Sequence, residues 1–238
     1  MVERSSQVTQ TDVTVIGTGL MGSAMARALL ASGRSVTVWN RTASAAEPLL
    51  DVGAVVAGTA TDALHASPIS VVVVKGYDTV RRLLEDALAE GPIGDVVNLT
   101  TGTPADADGI DSWAREREVS LLDGAILGFP SEVGTETMPI MCSGDAGVFE
   151  RCQEVITTLG GYSSHVGPDL RLANAWDASV LTVMTTAAAA TMEGIAVGLA
   201  HDLDTEMLLA VLGGVLATQA SIVGQLAAGL AEAGSVAE

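Results

Sequence analysis

Lysine is almost missing from this chain: of 238 residues only Lys75 is a lysine, and the other ten basic residues are arginines. Any mechanism that needs a lysine after position 75 is therefore excluded. Positive charge is scarce altogether, with 29 acidic against 11 basic residues and a formal net charge of -18. Such a charge opposes binding to a phosphate backbone and excludes nucleic acid as a partner. Aromatic residues make up 3% of the chain, so the core must be built mostly from Ala, Val and Leu. The two cysteines, Cys142 and Cys152, form no CxxC pair and have no histidine at metal-ligand spacing. That pattern indicates neither a disulfide framework nor a metal site, and it fits a reducing cytoplasm. Residues 1–11 carry both charge signs and no apolar run, which reads as a disordered leader and not as a signal peptide.

What is present is apolar: 48% of the residues are hydrophobic, enough for one Rossmann-sized domain and a smaller helical part. Residues 207–230 contain no charge and are long enough to cross a bilayer. They also hold Gly213, Gly214, Thr218, Gln219, Ser221 and Gln225, and their flanks are acidic. A membrane span usually has basic flanks, so helices buried in a protein interface are expected instead.

Period and punctuation give an alternation of strands and helices. Strands are expected at 13–16, 36–39, 71–74, 96–99, from Leu121 onward and at 139–142. Helices are expected at 21–31, 43–52, 79–89, 104–118 and 148–159. The fold class implied is α/β: a doubly wound parallel sheet, residues 12–167, followed by an all-α part, 168–238. Gly160, Gly161 and Gly167-Pro168 mark the break. One long helix is expected over 170–201. Two more apolar helices should follow Asp202 and Asp204, which are suited to capping a start near Thr205.

Gly17-Thr18-Gly19-Leu20-Met21-Gly22 is GxGxxG between a strand and a helix, the setting in which this motif binds a dinucleotide pyrophosphate. Gly17 permits the turn, Gly19 opens the backbone to the phosphates, Gly22 lets helix and strand approach, and the helix N-terminus supplies amide donors. Where an NAD enzyme carries Asp or Glu at the end of the second strand, this chain has Asn40-Arg41-Thr42. A guanidinium can pair with a ribose 2'-phosphate that a carboxylate would repel, so the expected cofactor is NADPH.

The segments VTVIGTGLMGSAMA, VTVWNRTAS, VVNLTTGTP, LLDGAI and WDASVL, in this order, resemble the imine reductases and reductive aminases of the β-hydroxyacid dehydrogenase superfamily. The resemblance implies reduction of imines or iminium ions, or of a ketone plus an amine, by hydride transfer. It implies Val74, Lys75, Asn98 and Thr100 as further cofactor-binding residues, with Asn98 also assigned to catalysis. Asp177 becomes the acidic catalytic residue on the long helix. A carboxylate there favours a protonated C=N nitrogen, which makes the carbon electrophilic, and it can carry or relay the proton. Ile126, Leu127, Phe129, Trp176, Leu181, Met184 and Thr185 become the substrate pocket. Asp177, Leu181, Met184 and Ala188 share one helical face.

Some relatives carry a tyrosine where this chain has Thr185, and Arg171 is unusual in its place. A helical bundle that interlocks with a second copy is implied, and so are further helices beyond Glu238, so the helical part is short for the family. The hydroxyacid branch uses a lysine on the long helix, near Ala173, and a Ser-Gly-Gly turn. This chain has no such lysine and reads Leu127-Gly128-Phe129 at that turn. Oxidation of a hydroxyacid or reduction of a semialdehyde remains the alternative, and a nucleotide-binding protein without turnover is a third. For Asn98 a buried turn-capping role competes with the catalytic one.

Arg41→Ala should lower the ratio of NADPH to NADH turnover by a factor of about 10–100, the worth of a charged hydrogen bond. Steady-state rates with both cofactors check this, and an unchanged ratio refutes it.

Overall fold

The fold was obtained as a computed structural model, which describes residues 10–235. Eight strands form one sheet in the order β3-β2-β1-β4-β5-β6-β7-β8. In chain order the elements are β1 (Val13–Ile16), α1 (Leu20–Ala31), β2 (Val36–Trp39), β3 (Val55–Val56), α2 (Ala60–His65), β4 (Ile69–Val72) and α3 (Tyr77–Leu88). They continue with β5 (Asp95–Asn98), α4 (Pro104–Glu116), β6 (Leu121–Ile126), β7 (Pro139–Gly144), α5 (Ala146–Leu159), β8 (Tyr162–Gly167), α6 (Arg171–Ala200) and α7 (Thr205–Ser235).

Strands β1 to β6 are mutually parallel, as expected for strands joined through helices. Between β6 and β7 only a 3-10 turn at Pro130–Glu132 intervenes, and without a crossover helix the pair is antiparallel. β8 then pairs parallel with β7 at the edge, where a glycine-rich break was expected. The two faces of the sheet carry separate apolar clusters. Met25, Leu29, Val155 and Ile156 of α1 and α5 pack on one, and Leu64, Val80, Leu84 and Trp113 of α2, α3 and α4 on the other.

Several boundaries differ from expectation for physical reasons. The apolar run at 71–74 is two residues out of step with the strand, because β4 ends where its neighbours β1 and β5 end. Val73 and Val74 then lie beyond the ladder. The segment 43–52 forms two 3-10 turns, Ala43–Ala45 and Glu47–Val52, with Pro48 removing a backbone donor. It still stops at Gly53, whose φ is +97°. Strand β3 and helix α2 were not anticipated.

Residues 1–9 of the expected leader lie outside the described residues. Thr11, assigned to that leader, instead belongs to the fold: it is buried and its hydroxyl bonds Thr37 and Ser67. Cys142 and Cys152 are both buried and free.

The chain divides into two compact units at Val180/Leu181. The first unit runs past the Gly167 break because Leu170, Ala173, Asn174 and Asp177 are all buried. The second unit is a helical hairpin. Its corner puts Asp202 at φ 53°, and Asp204 caps α7 by accepting from the Met207 amide at 2.8 Å. After this cap a single helix runs to Ser235, correcting the expected pair. Gly213-Gly214 costs helical stability but brings no proline to remove a donor. By length and composition alone, Arg171–Ala200 and Thr205–Val223 could each cross a membrane.

Gly22 is where α1 comes closest to β1. A Cβ there would lie 1.8 Å from the Gly17 carbonyl oxygen, whereas at Gly19 nothing lies within 4 Å. Gly22→Ala should therefore cost about 1–3 kcal/mol of stability, and Gly19→Ala should leave the melting temperature nearly unchanged. Thermal unfolding of both variants checks this, and equal melting temperatures would contradict it.

Candidate active site

The carboxyl ends of β1, β2, β4 and β5 share one edge of the sheet, and between β1 and β4 the connections diverge. Open α/β sheets bind ligands at such a point. The glycine motif lies there. Gly17 takes φ +96°, and a Cβ on it would meet the Val73 carbonyl oxygen at 2.0 Å, so only glycine fits. Leu20, at the start of α1, is exposed, and Met21 is half-buried.

The next residue of the loop, Thr18, donates its amide to the Asn40 side-chain oxygen at 3.1 Å, while the Asn40 amide nitrogen donates to the Thr42 carbonyl at 3.0 Å. Asn40 thus clamps the glycine turn to the end of β2. Thr18 Oγ1 is buried with no hydrogen-bond partner among the described residues. An orphaned hydroxyl beside an open Gly19 backbone, at a helix N-terminus, fits the pyrophosphate of a dinucleotide.

A cavity of about 520 Å3 begins at Gly17 and Gly19 and runs past Asn40, Arg41, Thr42, Val74 and Lys75 to Arg82. A second, of about 420 Å3, shares Trp39, Asn40, Arg41 and Leu83 with it. Arg41, Lys75 and Arg82 make no ion pair among the described residues, in a chain with a net charge of -18. Three free cations on one cavity suit a ligand with several phosphates. Arg82 was missed in the sequence. Its only signal is its place on α3, one turn after Thr79, which lines the same cavity.

Nearer the middle of the sheet edge, Thr100 is buried. Its hydroxyl accepts from the Val74 amide at 3.2 Å, and its own amide donates to Asn98 Oδ1 at 3.2 Å. Asn98 is fully buried, and its amide nitrogen donates to Asp123 at 2.8 Å. Both ends of the Asn98 side chain are therefore engaged, which is the geometry of the competing turn-capping role.

Asp123, on β6, went unnoticed as a site residue although LLDGAI was singled out. It is fully buried, and both its oxygens accept from the Tyr77 hydroxyl at 2.7 Å. Asn174 Nδ2 donates to the same carboxylate and, at 2.8 Å, to Tyr77. Burial pushes the Asp123 carboxyl up to about 7, against the lowering effect of its three donors. Burial also pushes the Tyr77 hydroxyl well above its ordinary value, helped by the neighbouring carboxylate.

Asp177 lies three residues after Asn174 on α6 and is 7% exposed. It has no hydrogen bond or ion pair among the described residues, and loss of hydration holds its pKa above the ordinary carboxylate range. The predicted pocket residues fall in both units. Ile126, Leu127, Phe129 and Trp176 belong to the first, and Leu181, Met184 and Thr185 to the second. None of them lines the two cavities at the β1/β4 edge or the cavity between α6 and α7. Phe129 and Trp176 are exposed, at 60% and 48%. The Thr185 hydroxyl is spent on the Leu181 carbonyl at 2.6 Å.

A six-stranded parallel core, a glycine turn at its switch point and a phosphate-suited cavity define a dinucleotide-binding domain of Rossmann type. The chain belongs to the family of the NAD-binding domain of 6-phosphogluconate dehydrogenase, whose model matches residues 12–167. Within that superfamily it groups with the imine reductases and reductive aminases.

An imine reductase from Myxococcus stipitatus, solved in complex with NADP+, superposes with a TM-score of 0.85 at 38% identity, covering 90% of this chain and 75% of that one. The NADPH-dependent reductive aminase of Aspergillus oryzae is 30% identical over 172 residues, 72% of this chain; the chain spans 58% of that relative's length. The NAD-dependent L-serine dehydrogenase of Pseudomonas aeruginosa is 28% identical over 208 residues, 84% of this chain and 68% of that protein.

For Asp123, a folded-state pKa raised to about 7 from 3.8 means the buried group is neutral at low pH and costs stability once charged. Its contribution is fully present below about pH 4 and is lost as pH rises toward 7. Wild-type unfolding free energy should accordingly fall more steeply between pH 4 and 7 than that of Asp123→Asn, by denaturant titration at several pH values. Parallel slopes would contradict the assignment.

Proposed function

We propose that this protein reduces imines or iminium ions to amines with NADPH, and that ketone plus amine is an accepted substrate pair. Asp177 carries this reading: its largely buried carboxylate makes no hydrogen bond or ion pair among the described residues and loses hydration, and a protonated C=N nitrogen would supply the partner it lacks. Bound NADPH supplies the hydride.

The chain's own residues do the rest. Gly17 and Gly19 admit the pyrophosphate, Gly22 lets α1 pack close to the turn, and Leu20 and Met21 open the helix whose amides face it. Arg41, Thr42, Lys75 and Arg82 attract the phosphates, the 2'-phosphate among them, while Asn40 holds the loop. Asn98 and Thr100 shape the backbone beside Val74. Asp177, held toward its neutral form by burial, gives its proton to the substrate nitrogen. As positive charge grows on the substrate, the resulting carboxylate stabilises it. A C–H bond forms as the C=N π bond opens onto nitrogen, and solvent returns the proton to Asp177.

The hydroxyacid alternative has a relative in its favour, the L-serine dehydrogenase. Against it, α6 contains no lysine to handle an alcohol proton. A second copy of the chain is the proposed cover for the apolar faces of the helical unit. There Val183, Met192, Met207 and Val211 are each more than half exposed, and a homodimer with intertwined helices would bury them without a membrane.

Asp177→Ala is expected to lower kcat for a cyclic imine by about 100- to 10,000-fold while NADPH affinity stays unchanged. NADPH consumption with a cyclic imine, with ketone plus amine, and with a β-ketoacid or semialdehyde separates the readings. Undiminished imine reduction by the variant would end this one.

A further inference from the structure

Asp123 is the most deeply buried acid of the first unit, and the chemistry above does not use it. Three elements distant in sequence converge on it: Tyr77 opens α3, Asn98 closes β5 and Asn174 lies in the first turn of α6. None of these donors is a cation, so the carboxylate is solvated by neutral dipoles alone. An apolar side chain would fill the same space without the cost of burying a charge. What a carboxylate adds is direction, since each donor must lie at a set angle to its oxygens.

We propose that Asp123 is a positioning residue: by receiving hydrogen bonds from Tyr77, Asn98 and Asn174 it fixes the rotation of α6, and so the aim of the Asp177 carboxylate, against the end of β5 and the middle of β6. The inference rests on Asp177 being the reacting acid. A separate anchor sets the height of the helix start. Ser143 Oγ donates to the Leu170 carbonyl at 2.8 Å and accepts from the Ala173 amide at 3.1 Å. That pair holds the backbone at the end of the helix. Asn174, bonded to Asp123, adds a side-chain anchor on the helix face, and Asp177, three residues on, shares that face. The same carboxylate also accepts from Asn98, whose side-chain oxygen in turn accepts from the Thr100 amide. The loop after β5 is coupled as well, for a Cβ at Gly102 would lie 2.2 Å from the Tyr77 ring.

The test uses the full chain in three forms, Asp123→Asn, Asn174→Asp and the double variant. The readouts are kcat and KM for a cyclic imine, NADPH affinity by fluorescence, and amide hydrogen exchange. Asp123→Asn should lower kcat by about 100-fold, the scale of a misaimed reacting group, with NADPH affinity kept. Exchange should quicken at residues 171–180 and stay slow at 13–39. The double variant returns the carboxylate to the other side of the same hydrogen bonds and should recover most of kcat.

Wild-type kcat in Asp123→Asn, unaltered exchange at 171–180, or a loss shared with NADPH affinity and not recovered by the swap would each overturn the proposal. Tyr77→Phe, which removes one donor and keeps the ring, should show a smaller loss of kcat in the same direction if Asp123→Asn does not fold. If the wild type reduces no imine, the functional reading fails by itself, and hydrogen exchange still decides the role of Asp123.

Discussion

Two carboxylates of this chain are largely withdrawn from water with no cation beside them among the described residues. Asp123 is solvated by three neutral donors, and Asp177 by none of the described residues. Removing a charge from water is among the costliest acts in a fold, and it is tolerated where the group is hydrogen-bonded or held for a ligand. The first condition describes Asp123, which ties α3, β5 and α6 to β6. The second describes Asp177, whose missing partner is the argument for a cationic or protonatable substrate.

The cofactor end of the site works by the opposite principle. There backbone is exposed on purpose: Gly19 leaves its amide open, Thr18 keeps an unspent hydroxyl, and three cations face a cavity without acidic partners. In so acidic a chain, free cations gathered at one place make a local field that the net charge conceals. Asn40 shows how the two ends of the loop are joined, because one side chain holds the glycine turn to the residues that follow β2.

The helical unit adds a surface whose apolar side chains have no cover among the described residues. Its hairpin closes tightly, for a Cβ at Gly198 would meet the Leu208 side chain at 2.3 Å. Its outer faces nevertheless remain apolar and exposed. Length and composition alone cannot tell such helices from membrane spans.

Local pattern was enough for the dinucleotide-binding domain, because the order strand, glycine turn, helix is a short-range feature. The fold class and the long helix were legible for the same reason, since periodicity and helix breakers act over a few residues. The antiparallel β7, the edge strand β8, the run of α6 into the first unit, Arg82 at the cavity and the Asp123 cluster were not. Each depends on residues far apart in sequence: Asn174 and Tyr77 are separated by 97 positions, Asp123 and Asn98 by 25. The sequence by itself determined the strand, glycine turn and helix of the dinucleotide-binding domain and the long helix on which Asp177 stands. Only the tertiary structure decided which polar groups share a buried space, because desolvation and hydrogen-bond direction exist once the chain has closed around them.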